Sequence, residues 1–282
     1  MDSLVSTEWL AGALGARDLK VLDASWHLPA TGRDAAAEFA AEHIPGARFL
    51  DLAQLADRTA PLPNTLPTGA QFAERMAALG VTAGDRVVLY DDSAVKTAAR
   101  AWFVLRLHGF RSVAILDGGL GKWRAEARAL ESGSTTSQRV EPTGVRADAS
   151  RVRDKAEMLA NLGSRHEQVI DARDTGRFTG EIADTIHNLP GGHIPGARNL
   201  PFAELYCPDG TFKPEVELRE AFANAGVDLS RPIVTSCGSG VTASVLLFAL
   251  DRLGVKDAAL YDGSWSEWGA DPATPKETGA AR

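Results

Sequence analysis

The chain states most of its pattern twice, and that repetition limits the possible folds more than any single motif does. "EHIPGARFLDLAQL" at 42–55 returns as "GHIPGARNLPFAEL" at 192–205, an offset of 150. "LDGGLGKW" at 116–123 returns as "YDGSWSEW" at 261–268, and "KVLDASW" at 20–26 as "QVIDARD" at 168–174. The markers keep their order at a nearly constant offset. The spacing predicts one duplicated domain of about 130 residues rather than a solenoid, whose units are far shorter.

Each copy reads the same way. A short apolar strand ends in an acid (Asp23, Asp171) and leads through a loop into an HIPGA turn with a short strand. A helix follows ("GAQFAERMAALG"; "EVELREAFANAG"), then a β-rich run ("DRVVLYD"; "RPIVTSC"). A long helix (about 95–108; about 241–253), another strand ("SVAILDGG"; "DAALYDGS") and a tryptophan-bearing segment complete the unit. Strands that alternate with helices predict an α/β layer fold on a mainly parallel sheet. The expected division is a domain over 1–130, a Ser/Thr/Gly/Pro-rich linker over 131–150, a second domain over 151–272 and a loose tail over 273–282.

The net charge of −7 leaves no basic footprint for nucleic acid or an anionic membrane. No apolar run approaches the roughly 18 residues of a membrane span. The N-terminus begins with an acid and reads as an amphipathic helix rather than a signal peptide. Two cysteines, Cys207 and Cys237, build no disulfide framework and match no zinc spacing, so neither a metal nor a cofactor is expected. The expected setting is a reducing cytoplasm with free thiols.

Cys237 ends the strand "RPIVTSC" and precedes "GSGVTAS" and an apolar helix expected to begin near Val241. Ligands of such sheets tend to lie beyond the carboxyl ends of the strands. A thiol reacts as its thiolate, which a helix N-terminus favours. Gly238 and Gly240 let the backbone curl so that several N–H groups converge, and Ser239 and Thr242 add hydroxyls. Such a cradle suits a thiolate, a second sulfur or an oxyanion; the alternative is a structural cysteine before an ordinary turn. The first copy puts Asp91 at this position, so a site would belong to the second half alone. Arg177, in "DARDTGRF", lies near the same sheet edge and suits a carboxylate or sulfonate held by two parallel hydrogen bonds, or else a surface ion pair. His43 and His193 occur in both copies and are expected to stabilise the HIPGA turns. Asp23 and Asp171 are expected to order loops. Trp123 and Trp268 are expected in cores, and Cys207 in a structural role.

Both HIPGA turns, "DRT" at 57–59, "LDGGLGKW", "DARDTGRF", "CGSGVTAS" and "YDGSWSEW" together resemble the tandem-domain rhodaneses, and within them the 3-mercaptopyruvate sulfurtransferases. The resemblance covers nearly the whole chain. It implies two rhodanese-like α/β domains, each a mainly parallel sheet flanked by helices, the first catalytically silent. It implies that Cys237 takes a sulfur atom from a donor as a persulfide and passes it to a thiol, cyanide or a thioredoxin-type protein. Ser239 is then a catalytic partner, and Arg177, Gly238, Gly240, Val241 and Thr242 bind the substrate. Thiosulfate enzymes of the family resemble "CRKGVT", with two cations for a dianion; the neutral "CGSGVT" here resembles the mercaptopyruvate type. Thiosulfate is the alternative donor. A second family arginine is absent, with Ile186 or His187 near its place. Asn64 and Ala53 stand where the first domain of the family offers a histidine and an acid. A phosphatase of related fold would need an arginine where Ala243 stands. The remaining rival is a non-catalytic sulfur carrier or binding module.

Overall fold

A computed structural model describes residues 1–281. The chain divides into two compact units.

The first unit comprises Met1–Arg58, Leu66–Asp148 and Cys207–Phe212. Its sheet contains β1 (Leu4–Val5), β2 (Leu19–Asp23), β3 (Arg48–Phe49), β4 (Arg86–Tyr90) and β5 (Val113–Leu116) in the order β1-β5-β4-β2-β3. All four pairings are parallel, and Asp23 lies opposite Tyr90. A parallel sheet needs cover on both faces, which explains why β4 and β5 read as continuous apolar runs rather than alternating ones. The helix Ala98–Leu107 after β4 is apolar nearly all round and buries every residue but Arg106.

The segment expected as a linker is fixed to this unit over its first half. His43 and Glu131 exchange backbone hydrogen bonds of 2.8 and 2.9 Å, and Val140 N–H donates to the Ala77 carbonyl (3.1 Å). The Ser137 hydroxyl donates to the carbonyl of Ala78 (2.7 Å). Ala77 and Ala78 end the helix Gly69–Ala78. The linker thus satisfies carbonyls that have no partner inside the helix.

The second unit comprises Thr59–Thr65, Ala149–Tyr206 and the chain from Lys213 onward. Its sheet holds β6 (Val152–Arg153), β7 (Gln168–Asp171), β8 (Arg198–Asn199), β9 (Ile233–Ser236) and β10 (Ala258–Tyr261) in the order β6-β10-β9-β7-β8, again all parallel. The topology repeats that of the first unit strand for strand. The helix after β9 spans Ala243–Arg252, two residues later than Val241, with Thr242 as its N-cap.

The loose tail expected over 273–282 is corrected for 273–281; Arg282 lies outside the described residues. Thr274 is buried, Trp268 Nε1 donates to the Pro275 carbonyl (2.8 Å), and Glu277 exchanges backbone hydrogen bonds with His193 (2.9 and 3.0 Å). Glu277 also accepts the Gly196 N–H through its carboxylate (3.0 Å), as Glu131 accepts that of Gly46 (2.9 Å) in the first unit. His193 is buried, so its backbone N–H and carbonyl need partners, and the polar composition of the tail concealed that it provides them. Among the described residues no helix is long and apolar enough to cross a membrane.

Candidate active site

Strand β9 lies between β7 and β10, so its carboxyl end is held from both sides. Cys237 follows it directly and is buried, as are Gly238, Ser239 and Gly240. The turn is tied down from behind. Cys237 N–H donates to Ser264 Oγ (3.1 Å), and the Cys237 carbonyl accepts from Trp265 N–H (2.9 Å). The Gly238 carbonyl accepts from both the N–H and the hydroxyl of Ser266, each at 2.8 Å. Ser244 Oγ donates to the Gly240 carbonyl (2.9 Å).

Three of the turn's carbonyls are therefore occupied, whereas among the described residues the N–H groups of Gly238, Ser239, Val241 and Thr242 meet no acceptor. Gly240 has φ +78°, the left-handed conformation that lets consecutive amides turn toward one point. The ten-residue helix Ala243–Arg252 adds the positive end of its dipole.

The first unit shows what such a turn holds. Asp91 stands where Cys237 does, and its carboxylate accepts the N–H groups of Ser93 (3.0 Å) and Ala98 (2.6 Å), the latter the first residue of its helix. A built-in carboxyl group fills the turn of the first copy. In the second copy a thiol takes its place and the amides stay open.

Behind Cys237 lies a buried charge network. The Arg173 guanidinium is fully buried, bonded to both oxygens of Asp171 (2.7–3.1 Å) and to the Gly192 carbonyl (2.6 Å), and stacked 4.6 Å from the Trp265 ring. Burial opposes its charge, but Asp171, Asp184 and the nearby Cys237 outweigh burial and raise its pKa above the ordinary guanidinium value. Asp184 is fully buried and pairs with Arg173 (3.5 Å), Arg177 (3.4 Å) and His187 Nδ1 (2.9 Å). Burial alone would raise its carboxyl; the hydrogen bond from His187 and the fields of His187, Arg177 and Arg173 win and lower it to about 2.

Arg177, on the short helix Thr175–Thr179, is also held by Asp174, so two carboxylates orient it before any donor arrives. Its Nη2 meets no acceptor among the described residues. His187 places its ring directly on Gly238: a Cβ there would lie 2.0 Å from Cε1 and 2.8 Å from Nε2. Arg177 is thus brought to the turn through Asp184 and His187. Ser239 Oγ accepts from Asn64 Nδ2 (3.0 Å), while Thr242 lies half-buried at the helix start without a side-chain cap.

The duplicated residues behave alike. His43 and His193 are buried, bond through Nδ1 to the Phe39 and Phe178 carbonyls (2.8 and 2.9 Å), and stack on those same rings. Asp23 and Asp171 each accept the N–H two residues on (2.8 and 2.9 Å), which orders the loops. Trp123 and Trp268 are core residues. Cys207 N–H bonds to the Thr211 carbonyl (2.8 Å) in a turn. Among the described residues no three metal-ligating side chains stand together.

Comparison with known proteins agrees with this architecture. The family model described as a rhodanese-like domain matches twice, over residues 6–126 and 154–271. The chain belongs to the rhodanese family. Among its relatives, a 3-mercaptopyruvate sulfurtransferase of Mus musculus is 42% identical over 94% of this chain and 91% of its own length. One of Escherichia coli (strain K12) is 40% identical over 97% of each. The crystal structure of SseA from Escherichia coli, a 3-mercaptopyruvate sulfotransferase described as having the rhodanese fold, superposes with a TM-score of 0.86 at 38% identity, covering 94% of this chain and 99% of that one. This rhodanese is a sulfurtransferase enzyme.

The rhodanese turn was legible in the sequence; Arg173, Asp184 and His187 were not singled out as a unit there. One signal was available: "DASW" against "DARD" exchanges Ser25 for Arg173, a second asymmetric position beside Asp91 and Cys237.

Proposed function

We propose that this rhodanese takes a sulfur atom from 3-mercaptopyruvate, holds it as a Cys237 persulfide, and passes it to a small thiol, cyanide or a thioredoxin-type protein. The observation that carries this reading is the pair of turns: Ser93 N–H binds the Asp91 carboxylate in one copy, and its counterpart Ser239 N–H is open in the other, together with those of Gly238, Val241 and Thr242. The Cys237 thiolate attacks the donor sulfur, and the outer anionic sulfur of the persulfide rests on the amides of Gly238, Ser239, Val241 and Thr242, with Gly240 setting their curve. Arg177 holds the donor carboxylate through its free Nη2, and Asp184 fixes its direction. Ser239 Oγ, anchored by Asn64, offers its hydroxyl proton to the bound group. The chemistry needs a free thiol, which places it in a reducing compartment such as the cytoplasm.

Thiosulfate is the second reading. A thiosulfate sulfurtransferase of Cricetulus griseus is 40% identical over 94% of this chain. The neutral Gly238-Ser239-Gly240 supports the keto acid, because a dianion calls for more positive charge in the turn. Initial rates with the two donors and cyanide as acceptor decide between them. Ping-pong kinetics and a higher kcat/KM for mercaptopyruvate are expected. A preference for thiosulfate overturns the donor assignment, and sulfur transfer by Cys237→Ser overturns the nucleophile.

A further inference from the structure

The donor reaction has a proton to move, and its balance shows where. The Cys237 thiolate attacks the sulfur of HS–CH2–CO–COO⁻. The S–S bond forms as the C–S bond breaks, and the bonding pair leaves on C3 as the enolate of pyruvate. The transferred sulfur still carries its hydrogen, and the enolate carbon lacks one. Moving that single proton from sulfur to C3 gives the anionic persulfide and pyruvate, with charge conserved and no oxidant or reductant. With thiosulfate, sulfite departs with the bonding pair and no proton moves.

The partner of Ser239 does not meet this need. Asn64 Nδ2 donates to Ser239 Oγ (3.0 Å), and an amide neither takes up nor releases a proton in such a step. On the other side of the turn His187 is built for it. Its ring covers Gly238, the residue next to the nucleophile, so closely that a methyl group at 238 would overlap Cε1. Its side chain is only 11% exposed, yet Nε2 has no hydrogen-bond partner among the described residues. Nδ1 lies 2.9 Å from Asp184 Oδ1. Asp184 is fully buried, and its carboxyl is lowered to about 2 by the hydrogen bond and field of His187 and then by its two arginines, so as a carboxylate it can only accept, and Nδ1 carries the hydrogen between them. In the neutral ring that tautomer has its lone pair on Nε2, the nitrogen without a partner among the described residues. A carboxylate, an imidazole fixed by it and a free Nε2 over Gly238, the residue next to Cys237, match the orienter–base pair of general acid–base catalysis.

We propose that His187 is a catalytic residue of the mercaptopyruvate half-reaction, with Nε2 taking the proton from the transferred sulfur and returning it to C3, and Asp184 as its positioning residue. The proposal rests on the mercaptopyruvate reading and adds a donor-selective role to it. Gly238 then has a steric reason: it keeps the space that His187 occupies.

The test is single-turnover persulfide formation on the full chain with each donor, comparing wild type with His187→Ala and His187→Gln. The expected result is a fall of roughly 100-fold or more in the mercaptopyruvate rate constant, as general acid–base catalysis typically contributes. The thiosulfate rate constant on the same preparations should fall far less, by roughly tenfold at most, and an unaltered far-UV circular dichroism spectrum shows that the variant is folded. Asp184→Asn should also lower the mercaptopyruvate kcat, by less, and raise KM as well, because Asp184 orients Arg177 in addition to His187. Equal losses with both donors, or a raised KM with unchanged kcat for mercaptopyruvate, overturn the proton role. A wild type inactive on mercaptopyruvate defeats the donor reading itself, an outcome distinct from either.

Discussion

Asp184 joins two arginines and an imidazole on one carboxylate, and its ionisation decides what each of them can do. Its carboxyl is lowered to about 2 in the folded protein from an ordinary 3.8, so folding favours the charged form. That stabilisation is complete above the unfolded value and is lost as the pH falls through the folded one. Removing one partner of a buried ion pair costs about 3–5 kcal/mol, because the others stay buried without compensation. Asp184→Asn should therefore destabilise the second domain by that order at neutral pH, and its deficit against wild type should shrink as the pH drops below 3.8 toward 2. Urea unfolding at a series of pH values measures this; a deficit that does not change with pH would contradict it. At Arg177 the geometry gives a different signature. Replacing it with Gln removes a charge-assisted contact to the donor carboxylate worth about 1.5–3 kcal/mol, which should raise the mercaptopyruvate KM by roughly tenfold or more. An unchanged KM would remove Arg177 from the donor site.

The turn after β9 and the loop carrying His187 fit each other only because residue 238 has no side chain. Gly238→Ala should overpack the contact by about 1–3 kcal/mol, and His187→Ala should relieve most of that cost. A double-mutant cycle on thermal unfolding reads the coupling; purely additive effects would show that the two do not touch. The contrast explains which elements were legible in the sequence. Strands β4, β5, β9 and β10 are short, β-branched or largely apolar runs of four or five residues, and both HIPGA turns repeat, so local pattern was enough to find them. Cys237 emerged from the same comparison, because Asp91 occupies its place in the other copy. The loop between Asp174 and His193 has no periodicity. Its pairing of Asp184 with Arg173, Arg177 and His187 depends on how the loop folds back, which spacing does not reveal. The tail was misjudged for a related reason: polar residues such as Thr274 and Glu277 are docked through backbone and side-chain hydrogen bonds rather than apolar area.

Across the whole molecule, two domains with one topology differ where their chemistry differs. Asp171 has Arg173 as a buried partner; Asp23, its counterpart, has Ser25 instead. Burial dominates at Asp23 and raises it to about 6, and Asp91 is pushed in the same direction for the same reason. Folding favours the protonated form of Asp23, so its contribution is full below 3.8 and is lost as the pH rises through about 6. Asp23 in the first domain and Asp184 in the second should thus contribute to stability with opposite pH dependence. Amide hydrogen exchange, corrected for intrinsic rates, should show β2 losing protection between these values, and Asp23→Asn should abolish the loss. A loss that persists in Asp23→Asn would contradict the assignment. The proposed function puts the sulfur-transfer chemistry in the second domain alone, and one measurement addresses that most directly. The reduced protein is treated with a single equivalent of 3-mercaptopyruvate, and its intact mass and peptides are then read. The account predicts release of pyruvate and a gain of one sulfur atom, located on the peptide that contains Cys237. Sulfur found on Cys207, or gained equally by Cys237→Ser, would contradict it.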